Sequence, residues 1–328
     1  MKVMLSVILA ASLVLSGIML VGPAESGEVL PQASALTPHA PIRINNNADF
    51  LTVAGVANNA TGNGTVWNPW IIENLEINGT GYGYCVYVAN TTEHFVVRNS
   101  NLHNASGGPG SIYYFNSSVI LFNVSHADIS NNTVAFSNYG IYLYSNSFNN
   151  TILNNTVCYN TDTGVLLDAG SNGNEISDNI AYNNGLHGIY IYKGDGNILR
   201  RDTVSRNGNS GILIYASTAN SILNCTADNN TAMGLHIYSA SEGNLITLSS
   251  IADNGCGVRI YNSAHNTIYN NDFTKNTIQA YDNNGLNSWD SAAWDYTVGG
   301  NYWDDYSDRK RTRLNSSHES PTRMPYSA

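Results

Sequence analysis

The sequence predicts an all-β fold, a parallel β-helix solenoid with coils of about 22–24 residues and a cap at each end. Three observations predict it. Between Gly140 and Ala280 a unit opened by glycine recurs six times, at Gly140, Gly164, Gly188, Gly211, Gly234 and Gly257, with spacings of 24, 24, 23, 23 and 23 residues. After each glycine the apolar residues alternate (Ile141 and Leu143, Ile189 and Ile191, Ile212 and Ile214), which is the period of a strand and not of a helix. Each unit also carries asparagine at one fixed position: Asn160, Asn184, Asn207, Asn230, Asn254 and Asn276. Such self-similarity means stacked coils, because one unit cannot bury its own apolar side.

Other solenoids fit less well. A leucine-rich repeat needs leucine where these units have Asn155 or Asn179, together with a helical return leg, and a calcium-binding β-roll needs GGxGxD nonapeptides. Two further apolar positions complete each coil, one at Ile152, Ile176, Leu199, Ile222, Ile246 and Ile268, the next at Val157, Ala181, Val204, Ala227, Ile251 and Phe273. The opening glycine is expected to supply a turn with φ > 0. The repeated asparagines are expected to stack as a hydrogen-bonded ladder along the axis, a structural role and not a catalytic one.

In chain order, Lys2, the apolar run Val3 to Val21 and Gly22-Pro23-Ala24 read as an export segment. Residues 1–24 are thus a signal peptide or, given the length of the run, an N-terminal membrane anchor. Residues 25–40 read as a linker and 41–308 as the β-helix with its caps. Pro41-Ile42-Arg43-Ile44 opens the first coil, and Trp70 to Ile77 begins the winding. From Gly81 to Asn138 the coils are less regular, and the loop Asn104 to Gly110 is expected to bulge outward. Trp289, Trp294 and Trp303 suggest a plug over the last coil, since an open solenoid end exposes unpaired strand edges. Residues 309–328 hold five of the fourteen basic residues and one acid, and this basic tail reads as non-native.

Composition bounds the function. The 328 residues have 12% charged side chains and a formal net charge of −10, which argues against a nucleic-acid partner. One elongated domain is expected. Frequent Asn-x-Ser/Thr sequons, among them Asn63, Asn78, Asn90, Asn104, Asn116, Asn123, Asn131, Asn154, Asn224 and Asn229, would suit a glycoprotein after export.

Four residues after the opening glycines stand Tyr144, Asp168, Tyr192, Tyr215, Tyr238 and Tyr261; two after them stand Tyr142, Leu166, Tyr190, Leu213, His236 and Arg259. Both rows should face outward. Stacked tyrosines shield a sheet, and planar rings with hydroxyl tips also suit sugars, so this row with Asp168 is the candidate substrate-binding strip.

The runs PIRINNNADF, WNPWIIENLEING, GYGYCVYV and FVVRNSNLHNAS, the GIYLY and NNTV coils and the closing GGNYWDDY resemble the NosD-like right-handed parallel β-helix proteins of archaeal cell surfaces, with PbH1 repeats, over about residues 40–308. The resemblance implies a right-handed β-helix of the carbohydrate-binding and sugar-hydrolysis type, secreted or held at the cell surface. The NosD name is associated with copper-enzyme maturation, which directs attention to soft ligands. Met233 and Cys256 fall one rung apart and are the metal candidates.

Catalytic equipment is sparse. Two carboxylates flanking a bond would serve a glycosidase. Asn160-Thr161-Asp162, a lone Asp178, His187-Gly188 and Arg259 only partly match the polygalacturonase pattern, which needs an aspartate pair. Asp162, Asp168 and Asp178 are the candidate catalytic acids. No cofactor is expected from a motif, although Asp290, Asp295, Asp304, Asp305 and Asp308 offer oxygen ligands to Ca2+ near the C-terminal cap. The four cysteines have no CxxC spacing, and Cys225 occupies the position filled by Asn155, Asn179 and Asn271 in other coils. The expected function is non-catalytic binding of a polysaccharide or cell-envelope glycan, in adhesion or in the envelope. A polysaccharide hydrolase or lyase and a metal-handling accessory protein are the alternatives.

Overall fold

The structure, a computed structural model, describes residues 35–108, 116–168, 170–289 and 300–304. Three parallel sheets wind the chain into a solenoid, with eleven, ten and nine strands among the described residues. One coil shows the design. Ser210–Tyr215 lies in the ten-stranded sheet, Ser221–Leu223 in the nine-stranded sheet and Thr226–Asp228 in the eleven-stranded sheet. The next coil repeats all three in register, Ile212 facing Leu235, Ile222 facing Ile246 and Ala227 facing Ile251. Each coil lies about 4.8 Å above the last, the spacing of hydrogen-bonded strands.

The apolar positions of the repeat fill the interior. Ile141, Ile152, Val157, Leu199, Val204 and Ile251 are all fully buried, within one continuous core. The repeated asparagines form the expected ladder: Asn160 Nδ2 donates to Asn184 Oδ1 at 3.0 Å, and the chain continues through Asn207, Asn230 and Asn254 to Asn276. Two further ladders stand inside the other corners. One runs from Asn150 through Asn174, Asn197, Asn220 and Asn244 to Asn266, and the other begins Asn132, Asn155, Asn179. Each ladder oxygen also accepts a backbone N–H from the coil before, so the turns leave few buried amides unpaired.

The conformation at the corners calls for one correction. The left-handed residue is the one before the ladder asparagine, such as Asn154, Tyr159 or Asn183, and not the asparagine itself. Nor is the opening glycine needed for positive φ: the six are absent from the left-handed set. They are needed for space. A Cβ at Gly211 would lie 2.7 Å from Gly234 O and 2.8 Å from Asn230 Nδ2, because the corner ladder passes directly against the backbone.

At the N-terminal end, Asn46 caps a 3-10 turn at Asn47–Leu51, and buried Phe50 stacks on Trp70 at 5.7 Å. At the other end Trp303 stacks on Phe273 at 4.3 Å and Trp289 packs beside them. Trp294, residues 1–24 and the tail 309–328 lie outside the described residues. Pairing begins earlier than residue 41: Thr37–His39, inside the stretch expected to be a linker, is already a strand paired with Leu75–Thr80. Asn104 to Ser106, expected to begin a bulging loop, remain in the strand Asn101–Ser106, whose pairing with the coil before shifts register between Asn78 and Thr80; the expected loop from residue 109 on lies outside the described residues.

Candidate functional site

Strands expose one face and bury the other because successive side chains alternate. On the ten-stranded sheet the outer face carries three columns of side chains. The middle column runs Arg43, Tyr87, Ile120, Tyr142, Leu166, Tyr190, Leu213, His236 and Arg259. It points away from the core, yet Tyr142 is 1% exposed and Leu213 7%. The flanking columns cover Tyr142, Leu166 and Leu213, whereas Tyr190, His236 and Arg259 of the same row stay half-buried. On one side stand Tyr139, Thr163, His187, Ser210, Met233 and Cys256; Tyr139 packs on Tyr142 at 5.1 Å and His187 on Tyr190 at 5.3 Å.

The other flank is the tyrosine row. Tyr192, Tyr215, Tyr238 and Tyr261 are brought together in register, half-buried, with neighbouring rings 5.2–5.7 Å apart and tilted. Tyr144 occupies the same row two coils before Tyr192 and packs on Phe122. The row is thus self-packed, as stacking alone requires, and it remains only half-buried.

Asp168 interrupts the row and is buried, its Oδ2 accepting from Tyr142 Oη at 2.6 Å. Asp162, next to Thr163 at the opposite flank of the same face, accepts from Thr163 Oγ1 at 2.8 Å and from the Tyr139 hydroxyl. Burial raises the Asp162 carboxyl above its ordinary value. Burial, with the negative charge of both aspartates, pushes Tyr139 up to about 12. One coil on, His187 is buried, its Nδ1 has no partner among the described residues, and burial lowers its pKa to about 4, so the ring is neutral. This end of the face therefore combines two acids, phenols and an uncharged imidazole, groups able to move protons.

Asp178 is not part of it. It follows the nine-stranded sheet's Glu175–Ser177 and pairs with Arg201 through two 2.7 Å hydrogen bonds that lower its pKa. Asp304 accepts the Lys275 backbone N–H at 2.6 Å and the Gln279 side chain, which ties down the C-terminal cap. Asp290, Asp295, Asp305 and Asp308 lie outside the described residues.

Met233 and Cys256 are register partners. As a copper site the pair does not fit. Cys256 is buried and its thiol, donating to Val258 O, is pushed up to about 11, away from the thiolate that binds metal. Burial and, after it, the nearby Arg259 guanidinium depress His236, the neighbouring imidazole, and that guanidinium opposes a cation there. All four cysteines are free and buried. Two residues were passed over in the sequence. Lys193 directly follows the tyrosine row and lies 5.0 Å over the Tyr192 ring, which its position five after the glycine could have signalled. Asp202 stands in the corner ladder one coil after Asn179, in the column to which Cys225 was assigned.

A three-sheeted solenoid with one aromatic outer face defines the class: a right-handed parallel β-helix protein. The chain belongs to the NosD family, described as periplasmic copper-binding protein (NosD), whose family model matches residues 102–308. Among curated proteins none matches the chain by sequence. Solved structures are similar in fold. The A-module of the Azotobacter vinelandii mannuronan C-5 epimerase AlgE4 superposes with a TM-score of 0.59 at 15% identity, covering 66% of this chain and 63% of that one. The AlgE6 A-module of the same organism gives 0.57 at 16%, over 66% and 62%. A double mutant of the periplasmic alginate epimerase AlgG gives 0.55 at 20%, over 61% and 49%. The chain thus spans between about half and less than two thirds of the length of each, and the likeness is one of fold.

Proposed function

We propose that this protein binds glycan chains along the outer face of its ten-stranded sheet, outside the cytoplasm, as an envelope or surface component. The observation that carries the reading is the register of Tyr192, Tyr215, Tyr238 and Tyr261, four half-buried aromatic side chains on successive coils of one face. A regular row of rings suits a regular chain of sugars, whose apolar faces stack while their hydroxyls reach phenol oxygens. Further support comes from the fold neighbours, which are named for action on mannuronan and alginate. The periplasmic description of the family and the apolar run after Lys2 support the location.

The test is a glycan array with the full chain and with the triple variant Tyr192→Ala, Tyr215→Ala, Tyr238→Ala. The wild type should bind and the variant should not, while both keep a β-rich circular dichroism spectrum. Equal binding by the two would leave the row purely structural. A catalytic reading has one specific observation in its favour, the Tyr139 phenol bonded to Asp162 and within reach of the charge of Asp168. New reducing or unsaturated ends after incubation with a bound glycan, lost in Asp162→Asn, would establish it.

A further inference from the structure

The strip is not electrically uniform, and its charges fall at its two ends. Lys193 is exposed with its ammonium 5.0 Å above the Tyr192 ring. Arg259 lies with its guanidinium 5.5 Å from the Tyr261 ring and 5.7 Å from Tyr281. Between these two coils are three steps of the solenoid, about 14 Å at the strand spacing. In the four coils from Tyr192 to Tyr261 none of the three outward columns holds an aspartate or glutamate. Among the described residues, neither Lys193 nor Arg259 takes part in an ion pair. Burial keeps His236, which lies between them, at about 4 and hence uncharged at neutral pH.

This is unusual for the chain as a whole, which carries a net charge of −10. Along these columns the last acid is Asp168, one coil before Tyr192, and its charge still reaches Lys193; Asp195, two residues beyond Lys193, is taken up by the backbone N–H and hydroxyl of Thr218. The charged ends of both cations lie over tyrosine rings in cation–π contact, Lys193 exposed and Arg259 half-buried. The guanidinium fork suits a bidentate oxyanion, and the ammonium acts as a point charge.

We propose that the glycan taken by this strip is acidic, a chain bearing carboxylate or sulfate groups. The anionic groups meet Lys193 and Arg259, and the sugar faces between them lie on Tyr215 and Tyr238. The proposal rests on the reading of the tyrosine row as a glycan site and adds the charge of its ligand.

The experiment measures binding of the full chain to polygalacturonate, dextran sulfate and uncharged dextran by affinity electrophoresis and calorimetry, at low and raised NaCl. The acidic chains should bind and dextran should not. Binding should fall with salt, because exposed charges are screened, and the double variant Lys193→Gln, Arg259→Gln should bind on the order of tenfold or more weakly. The charge-conserving Lys193→Arg, Arg259→Lys should retain most of the affinity, which separates loss of charge from loss of fold. Preference for polygalacturonate identifies a carboxylate ligand, preference for dextran sulfate a sulfated one. Binding of dextran as tightly as of the acidic chains would overturn the inference while leaving the glycan site standing, as would acidic-glycan binding unchanged in the glutamine variant. Failure of all three chains and of the array would remove the site itself.

Discussion

Asp202 offers the sharpest test of how the corners are held. It occupies a ladder position that Asn179 and Asn155 fill in the preceding coils, fully buried, with Oδ1 accepting both the backbone N–H and Nδ2 of Asn179 at 2.9 Å. Its Oδ2 stands where an asparagine would place an amide nitrogen. Asn179 uses that nitrogen to donate to Ile152 O at 2.8 Å and Ser177 O at 3.0 Å, whereas Asp202 Oδ2 has no partner among the described residues. Only a protonated carboxyl can donate in that place. Burial accordingly pushes Asp202 from 3.8 up to about 7, with the charge of Asp178 adding to the rise.

Because the folded chain holds this proton more tightly than the unfolded chain does, the stability it contributes is complete below pH 4 and is lost as pH rises to about 7. A shift of about three units corresponds to about 4 kcal/mol, reached above pH 7. Asp202→Asn supplies the amide permanently. Guanidinium unfolding followed by circular dichroism should find the two proteins within about 1 kcal/mol at pH 4, and the asparagine variant more stable by about 3–4 kcal/mol at pH 8. A gap that is the same at both pH values would refute the ladder argument. So would a wild type that is the more stable protein at pH 8.

Other predictions follow from the same geometry. Gly211→Ala forces a Cβ against Gly234 O and Asn230 Nδ2, and should lower the unfolding midpoint at every pH; an unchanged midpoint would mean that the corner can widen. Ile222→Ala empties a fully buried position between two coils and should cost about 2–5 kcal/mol in denaturant unfolding. Arg201→Gln breaks an exposed pair with Asp178 and should leave the midpoint unchanged, since such pairs contribute little. The four buried thiols should resist an aromatic disulfide reagent in the native protein and react together once it is denatured; fast native reaction of Cys225, whose thiol burial pushes up to about 12, would contradict its place in the ladder.

Much of the fold was legible in the sequence because a solenoid writes its structure at a fixed period. Ile152, Val157 and Asn160 recur in every coil, so counting alone assigns them to core, core and corner ladder, and each coil's neighbours are the units before and after it. What counting cannot supply is distance between side chains from different coils or corners. The role of Gly211 in giving room to Asn230, the covered state of Tyr142 on an outward face and the separation of Asp178 from Asp162 and Asp168 all depend on where the three sheets turn. The same holds for Lys193 and Arg259, sixty-six residues apart but three rungs apart on one face. Sequence by itself determined the period, the strand character and the buried rows, because those follow from local alternation repeated in register. Only the tertiary structure decided which polar groups meet and which are left without water, because burial and charge act through space and not along the chain.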